Sequence, residues 1–117
     1  MKMRRTFIVR NEDVQRVLIG VPEGHKHLRV YLELQSGVAF IFQEATIANI
    51  LRGFITVKTH PQTDAVQLER REVPIQLLRT GFAKNQLLET PKGSGEIKRE
   101  LKSLLDSASR LGEGMKP

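Results

Sequence analysis

Two histidines and a nearby carboxylate are the residues of this sequence best suited to binding a metal ion. His25 and His27 come just before an alternating apolar run that contains Glu33. In an extended backbone, alternate side chains lie on one face, so these three groups would lie together. Imidazole and carboxylate groups bind zinc and nickel, and His60 and Glu44 are the other candidate ligands. The simpler interpretation is two solvated histidines where a loop meets a strand.

The His-x-His pair followed by a glutamate resembles the first metal motif of the cupin family. The resemblance implies a metal-dependent enzyme in which His25 and His27 are metal ligands. The spacing to Glu33 departs from the pattern, and the second cupin motif has no counterpart. A jelly roll also does not fit a chain with three predicted helices. A small metal-dependent enzyme is therefore the third functional hypothesis.

Basic side chains on predicted strands form a second candidate site. Such cations can neutralise phosphates without reading bases, and Tyr31, on the polar face of a predicted hairpin, could stack on a base. The alternative is an ordinary solvent-exposed face of the sheet with cross-strand ion pairs. This alternative is favoured by the glutamates on either side of Arg70 and Arg71, which are Glu69 and Glu72. The candidate nucleic-acid-binding residues are Arg4, Arg10, Arg29, Tyr31, Lys58, Arg70 and Arg71.

The segment 36–43 resembles the RNP1 sequence of RNA-recognition motifs, which alternates aromatic positions after a basic residue and a glycine. The resemblance implies RNA binding by stacked bases. The pattern is matched by Gly37, Ala39, Phe40 and Ile41, and not by Ser36, Val38 and Gln43. The predicted hairpin register instead directs Phe40 and Phe42 to the core, because a fully apolar face favours burial.

The hairpin is predicted from two alternating apolar runs, Leu28 to Leu34 and Val38 to Phe42, that flank residues 35–37. A three-residue loop with Gly37 in the left-handed conformation keeps the apolar residues of both strands on one face. A two-residue turn would shift the register by one and place Phe40 opposite Glu33. The expected pairs are Leu34–Val38, Leu32–Phe40 and Val30–Phe42.

The other elements follow from apolar periodicity. Strands are expected at 4–10, 55–59, 65–73 and, least clearly, at 82–90 in the least readable segment, 75–90. Short helices are expected after Asn11, with Val14, Val17, Leu18 and Val21 on one stripe, and from 43 to a stop at Gly53. The predicted order β-α-β-β-α-β is that of a ferredoxin-like unit, extended by one or two strands and a C-terminal helix.

The C-terminal helix, residues 96–111, follows a flexible break at 91–95 and precedes a frayed tail at 112–117. Its apolar face contains Ile97, Leu101, Leu104, Leu105, Ala108 and Leu111. The expected arrangement packs this helix on a single α+β domain, residues 1–90, because an isolated amphipathic helix is marginal. The alternatives are an unknown protein partner or self-association through this helix.

Composition bounds the function further. The 117 residues carry a net charge of +6, contain no cysteine, and show no run long enough for a membrane helix. A soluble cytoplasmic protein without membrane attachment is expected. The positive charge favours nucleic acid as a partner, although basic and acidic residues are well mixed.

Catalysis has little support in the sequence. No nucleophile elbow, phosphate-binding glycine loop or His-Glu-x-x-His helix occurs, and Gly93-Ser94-Gly95 is interpreted as a linker. We therefore expect a mostly antiparallel α+β domain, non-enzymatic and without cofactor, that acts as a binding or adaptor module. A nucleic-acid-binding domain is the second hypothesis.

Overall fold

The computed structural model describes residues 5–78 and 84–111. The chain is an α+β protein whose larger sheets are antiparallel, as predicted. The strands are β1 (Phe7–Ile8), β2 (Val14–Gly20), β3 (Arg29–Leu34), β4 (Ala39–Gln43), β5 (Leu68–Glu72), β6 (Asn85–Glu89) and β7 (Ser109–Arg110). The helices are α1 (Glu44–Thr59), α2 (Ile75–Leu78) and α3 (Ser94–Ser107), and Asn11–Asp13 forms a 3₁₀ turn.

The predicted hairpin is confirmed as β3 and β4. Leu32 pairs with Phe40 and Val30 with Phe42, and the Leu34 amide donates to the Val38 carbonyl at 2.9 Å. Gly37 has a φ of 95°, the left-handed conformation that a three-residue loop requires and that glycine adopts without strain. The apolar pattern therefore selected the correct register.

The helix predicted after Asn11 is wrong, because residues 14–20 form strand β2 against β3. Between Val14, opposite Leu34, and Arg16, opposite Glu33, β2 has one extra residue. This β-bulge shifts the alternation, so Val14 and Val17 lie on the same face although they are three residues apart. The bulge thus imitates the i, i+3 spacing of a helix.

The strand predicted at 55–59 is also wrong, because α1 continues through Gly53 to Thr59. A Cβ atom at Gly53 would lie 3.3 Å from Cγ2 of Val66. The glycine therefore allows close packing against Val66 and does not end the helix. The β-branched residues of 55–59 are helical, so their weak strand preference does not decide the structure here.

Strand β5 and the last helix are shorter than predicted. β5 and β6 form a two-stranded antiparallel sheet. β6 lies within the strand predicted at 82–90, of which residues 82 and 83 lie outside the described residues. α3 ends at Ser107. Ser109 and Arg110 then pair in parallel with Phe7 and Ile8, so β1 spans only two of the predicted strand residues.

The chain divides into two compact units. The first contains residues up to Glu44 together with those from Arg99 onward, and the second contains Ala45–Lys98. The ferredoxin-like order is not confirmed, because a strand occupies residues 14–20 where that order needs a helix. The predicted tail at 112–117 lies outside the described residues, and the docking of the C-terminal helix stays a prediction.

Few apolar side chains are buried in the described residues. The first unit buries Val30 and Leu34, and the second buries Ala65 and Ile97. Many large apolar side chains are exposed in both units. Within the described residues, no helix has the length and apolar character needed to cross a membrane.

Candidate ligand-binding groove

The three-stranded sheet β2–β3–β4 has two faces whose composition follows from its register. Residues directly opposite each other share a face, and neighbours along a strand alternate between faces. One face, here called the phenylalanine face, contains Val17, Ile19, Val30, Leu32, Phe40 and Phe42. The opposite face, here called the groove face, contains Arg16, Leu18, Gly20, Arg29, Tyr31, Glu33, Ala39, Ile41 and Gln43.

A row of apolar side chains crosses the centre of the groove face. Leu18, Tyr31 and Ile41 are consecutive cross-strand partners in this row. Leu18 is 52% exposed and Ile41 is 69% exposed, so the described part of the chain leaves the row largely uncovered. Apolar side chains of this size normally favour burial, which makes an uncovered row a candidate binding surface.

The row forms the floor of an open groove of about 420 Å³. Gly20 lies beside the row and has no atom within 4 Å of the position a Cβ would take, which leaves this end of the groove open. Sites for small ligands are mostly apolar concavities of a few hundred Å³ with a few polar groups. The lining residues are Leu18, Ile19, Gly20, Val21, Pro22, Arg29, Tyr31 and Ile41.

One side of the apolar row is bounded by a polar network on Glu33. The Tyr31 hydroxyl donates to Oε1 of Glu33 at 2.8 Å, and Nε of Arg16 donates to the same oxygen at 3.0 Å. The Arg16 guanidinium also lies 5.6 Å from the centre of the Tyr31 ring, within the range of a cation–π contact. These contacts hold the Tyr31 ring in one orientation in the groove floor.

The network shifts the ionisation of all three groups in a consistent direction. The hydrogen bond from Tyr31, followed by that from Arg16, lowers the pKa of Glu33. The hydrogen bond to Glu33 raises the pKa of Tyr31 and likewise that of Arg16. At neutral pH the network therefore contains an ionised Glu33 that is neutralised by Arg16, and a neutral Tyr31.

Arg29 bounds the other side of the row and has a different environment. Its guanidinium donates to the Leu28 carbonyl at 3.1 Å, and no carboxylate of the described residues forms an ion pair with it. The groove thus has one arginine neutralised by Glu33 and one whose charge is available to a ligand. An acidic group would be attracted to the Arg29 end.

The other predicted nucleic-acid-binding residues do not join this groove. Arg10 is 3.4 Å from both Glu12 and Asp13. In the second unit, Lys58 lies over the Phe54 ring and Arg71 pairs with Glu69. Arg70 is in β5 of that unit, and Arg4 lies outside the described residues. Among the described residues of the predicted nucleic-acid-binding set, only Arg29 and Tyr31 line this groove.

The predicted metal ligands are exposed loop residues. His25 lies in a turn, where its own main-chain amide donates to the Pro22 carbonyl at 3.0 Å, and β3 begins only at Arg29. The strand alternation that placed both histidines beside Glu33 therefore does not extend to them. Glu44 instead accepts a hydrogen bond from the Leu28 amide at 2.7 Å. Residues 5–78 and 84–111 contain no group of three potential ligands, and metal binding stays a prediction.

A smaller cleft of about 150 Å³ lies in the second unit. Asn49, Gly53 and Thr56 of α1 form one wall, and Leu68 and Leu87 of the β5–β6 hairpin contribute to the other. The cleft is the seam between a helix and the sheet beside it. It has a third of the volume of the groove and no uncovered row of apolar side chains.

Arg16, Leu18, Gly20 and Ile41 are groove residues that the sequence analysis did not identify. The first three were hidden by the helix assignment, in which Leu18 shares a stripe with Val14 and Val17. The β-branched residues of 14–21 were the available signal for a strand. Ile41 enters the sequence analysis only through the RNP1 resemblance, because the sequence does not show whether other segments of the chain cover its face of the sheet.

No protein-family model matches this sequence. No curated protein and no solved structure matches it either.

Proposed function

We propose that this chain is a non-enzymatic binding domain that holds an apolar ligand with an acidic end in the groove of the β2–β3–β4 sheet. The observation that carries the proposal is the uncovered row Leu18–Tyr31–Ile41 beside Arg29. The cytoplasm, expected from the lack of cysteine, is its proposed location.

The apolar row and Arg29 would bind different parts of the ligand. Burial of the exposed Leu18 and Ile41 side chains supplies affinity for an apolar body, at about 25 cal/mol per Å² covered. Arg29 supplies preference for an acidic group, because a charge-assisted hydrogen bond is stronger than a neutral one. Arg16 contributes less to this preference, since Glu33 already neutralises it.

A fluorescent probe with this chemistry provides the test. Dansyl-labelled undecanoate has an apolar chain and a carboxylate, and its methyl ester has the same chain without charge. We expect the acid to bind more tightly than the ester, and Leu18→Ser to weaken both by about tenfold. Leu88→Ser is the matched control, because Leu88 is 50% exposed but lies in the second unit.

The charge is tested separately. Arg29→Gln should remove the preference for the acid and leave binding of the ester unchanged, while Arg70→Gln should change neither. Equal binding of acid and ester by the wild-type chain would contradict the assigned acidic end. Binding that survives Leu18→Ser would show that the probe occupies another surface.

Nucleic-acid binding is the second candidate, favoured by the placement of Arg29 and Tyr31 in the same groove. A stacked base could lie on the Tyr31 ring while its phosphate approaches Arg29. Competition of labelled single-stranded RNA against the dansyl probe tests this, over a series of salt concentrations. RNA that displaces the probe with a steep salt dependence would place nucleic acid first.

A further inference from the structure

The free edge of strand β4 has main-chain groups that no strand of the described residues pairs. β4 pairs with β3 alone. The bond from Leu34 to Val38 shows that the main chains of Val38, Phe40 and Phe42 face β3. Main-chain groups alternate in direction along a strand, so those of Ala39, Ile41 and Gln43 face away from the sheet.

This edge also lacks the features that normally prevent edge-to-edge pairing. Soluble proteins protect free edges with charged side chains, prolines or bulges. The five residues of β4, Ala-Phe-Ile-Phe-Gln, include no charge and no proline, and their register with β3 is unbroken. The opposite edge strand β2 contains a bulge and Arg16. Protection is thus present at one edge of this sheet and absent at the other.

We propose that β4 pairs with β4 of a second copy of this chain, antiparallel about a twofold axis at Ile41. This register places Ile41 opposite the partner's Ile41, and Ala39 opposite the partner's Gln43. The outward main-chain groups of these residues then meet as hydrogen-bonded pairs. Because α1 begins at Glu44, the Gln43 carbonyl is already the first acceptor of that helix. The register therefore allows four hydrogen bonds across the axis, two between the isoleucines and one from each Gln43 amide to the partner's Ala39 carbonyl. The result is one six-stranded antiparallel sheet, and it stands independently of the proposed ligand.

The side chains of β4 fit their own antiparallel copy. The sequence is nearly the same in both directions around Ile41, with a phenylalanine on each side. On the phenylalanine face, Phe40 comes opposite the partner's Phe42, and aromatic cross-strand pairs are among the stabilising ones. On the groove face, the two isoleucines meet. Phe40 is 42% exposed in the single chain, so pairing covers side chains that now contact water.

The lack of charge on β4 favours a second copy of this chain as its partner over a nucleic acid or an acidic peptide. A nucleic acid or an acidic peptide would need cations along the edge, and β4 provides none. A chain with net charge +6 repels its own copies, yet this pairing brings no like charges together, because the five residues of β4 carry no charge. The two grooves also become continuous across the axis, since Ile41 ends the row Leu18–Tyr31–Ile41 in each copy.

Cross-linking tests the register. The chain has no cysteine, so Ile41→Cys introduces a single thiol, about 5.5 Å from its copy between Cα atoms in the proposed pair. Ile75→Cys is the matched control, because Ile75 is 66% exposed and lies in α2 of the second unit. We expect rapid disulfide-linked dimers with Ile41→Cys and slow ones with Ile75→Cys. Equal rates for the two variants would overturn the register.

Sedimentation without ligand tests the dimer itself. We expect the wild-type chain to dimerise at micromolar concentration, and Ile41→Lys to raise the dissociation constant on the order of a hundredfold, because two ammonium groups would meet at the axis. Ile75→Lys should dimerise like the wild type, and circular dichroism confirms that each variant is folded. A monomeric wild type overturns the proposal. A dimer that survives Ile41→Lys but is lost with Leu101→Lys overturns it in favour of α3, the predicted self-association helix.

Discussion

Strands β4 and β5 are both five residues long and both lie at the edge of an antiparallel sheet, but their side chains differ completely. β4 is Ala-Phe-Ile-Phe-Gln, without a charge. β5 is Leu-Glu-Arg-Arg-Glu, in which every residue after the first is charged. A further strand on β5 would have to bury these charges, whereas β4 would accept one at little cost. The difference indicates that self-pairing is prevented at one edge and permitted at the other.

The two sheets differ in burial as well. The β2–β3–β4 sheet contains Val30 and Leu34, both buried, whereas no described side chain of β5 or β6 is fully buried. The first sheet therefore has buried apolar side chains as well as exposed ones. The open row and the uncharged edge thus belong to a sheet that also has buried side chains, and such support is what a rigid binding surface requires.

The largest expected effect sharpens this difference in burial. Leu34 is 1% exposed, so Leu34→Ala should lower the free energy of unfolding by about 3 kcal/mol through lost burial and a cavity. Leu68→Ala, in the half-buried position of β5, should cost about 1 kcal/mol. In urea unfolding, the fluorescence of Tyr31, the only tyrosine in a chain without tryptophan, reports the first sheet, and circular dichroism reports the second unit as well. Equal losses in the two variants would contradict the deeper burial of Leu34.

Removing charges from β5 should make its edge more similar to that of β4. Replacing Glu69 and Arg71 together by valine keeps the net charge and removes an ion pair of 3.8 Å from β5. We expect the double variant to associate beyond the dimer at micromolar concentration, because the edge of β5 then keeps only two of its four charges, Arg70 and Glu72. Glu96→Val with Arg99→Val is the control, since it removes the same charges from helix α3. Unchanged sedimentation of the β5 variant would show that charge is not what keeps that edge unpaired.

The smallest expected effect concerns the ionisation of Glu33. Its pKa in the folded chain lies below the usual 4.5. The stabilisation from its network is therefore complete above that value and is lost as the pH falls through the folded pKa. Tyr31→Phe removes the main cause and should raise the pKa of Glu33 toward its usual value. Carboxyl chemical shifts during an acid titration measure this.

Asp64 serves as the internal reference in the same titration. Its pKa is lowered mainly by the hydrogen bond from Lys98, so Tyr31→Phe should leave it unchanged. A shift of both carboxyls would indicate a general change in the fold and not the loss of one hydrogen bond.

Local patterns in the sequence were sufficient for the β3–β4 hairpin. Its register follows from strict alternation and from one glycine that can adopt positive φ, both of which are properties of neighbouring residues. Helix α3 was predicted for the same reason, because Ile97, Leu101, Leu104 and Leu105 form an apolar stripe within it, whereas Ala108 and Leu111 of the predicted face lie beyond its end. Placement of Arg29, Tyr31 and Glu33 on one face followed from that hairpin and is correct.

Strand β2, the continuation of α1 and the open groove were decided by tertiary structure. The bulge after Val14 is a feature of the pairing between β2 and β3, and at Gly53 helix α1 continues with Val66 close to the position a Cβ would take. An apolar residue in the sequence predicts burial, yet Leu18 and Ile41 remain exposed. Whether an apolar face is covered depends on which distant segments reach it, and local periodicity contains no information about that.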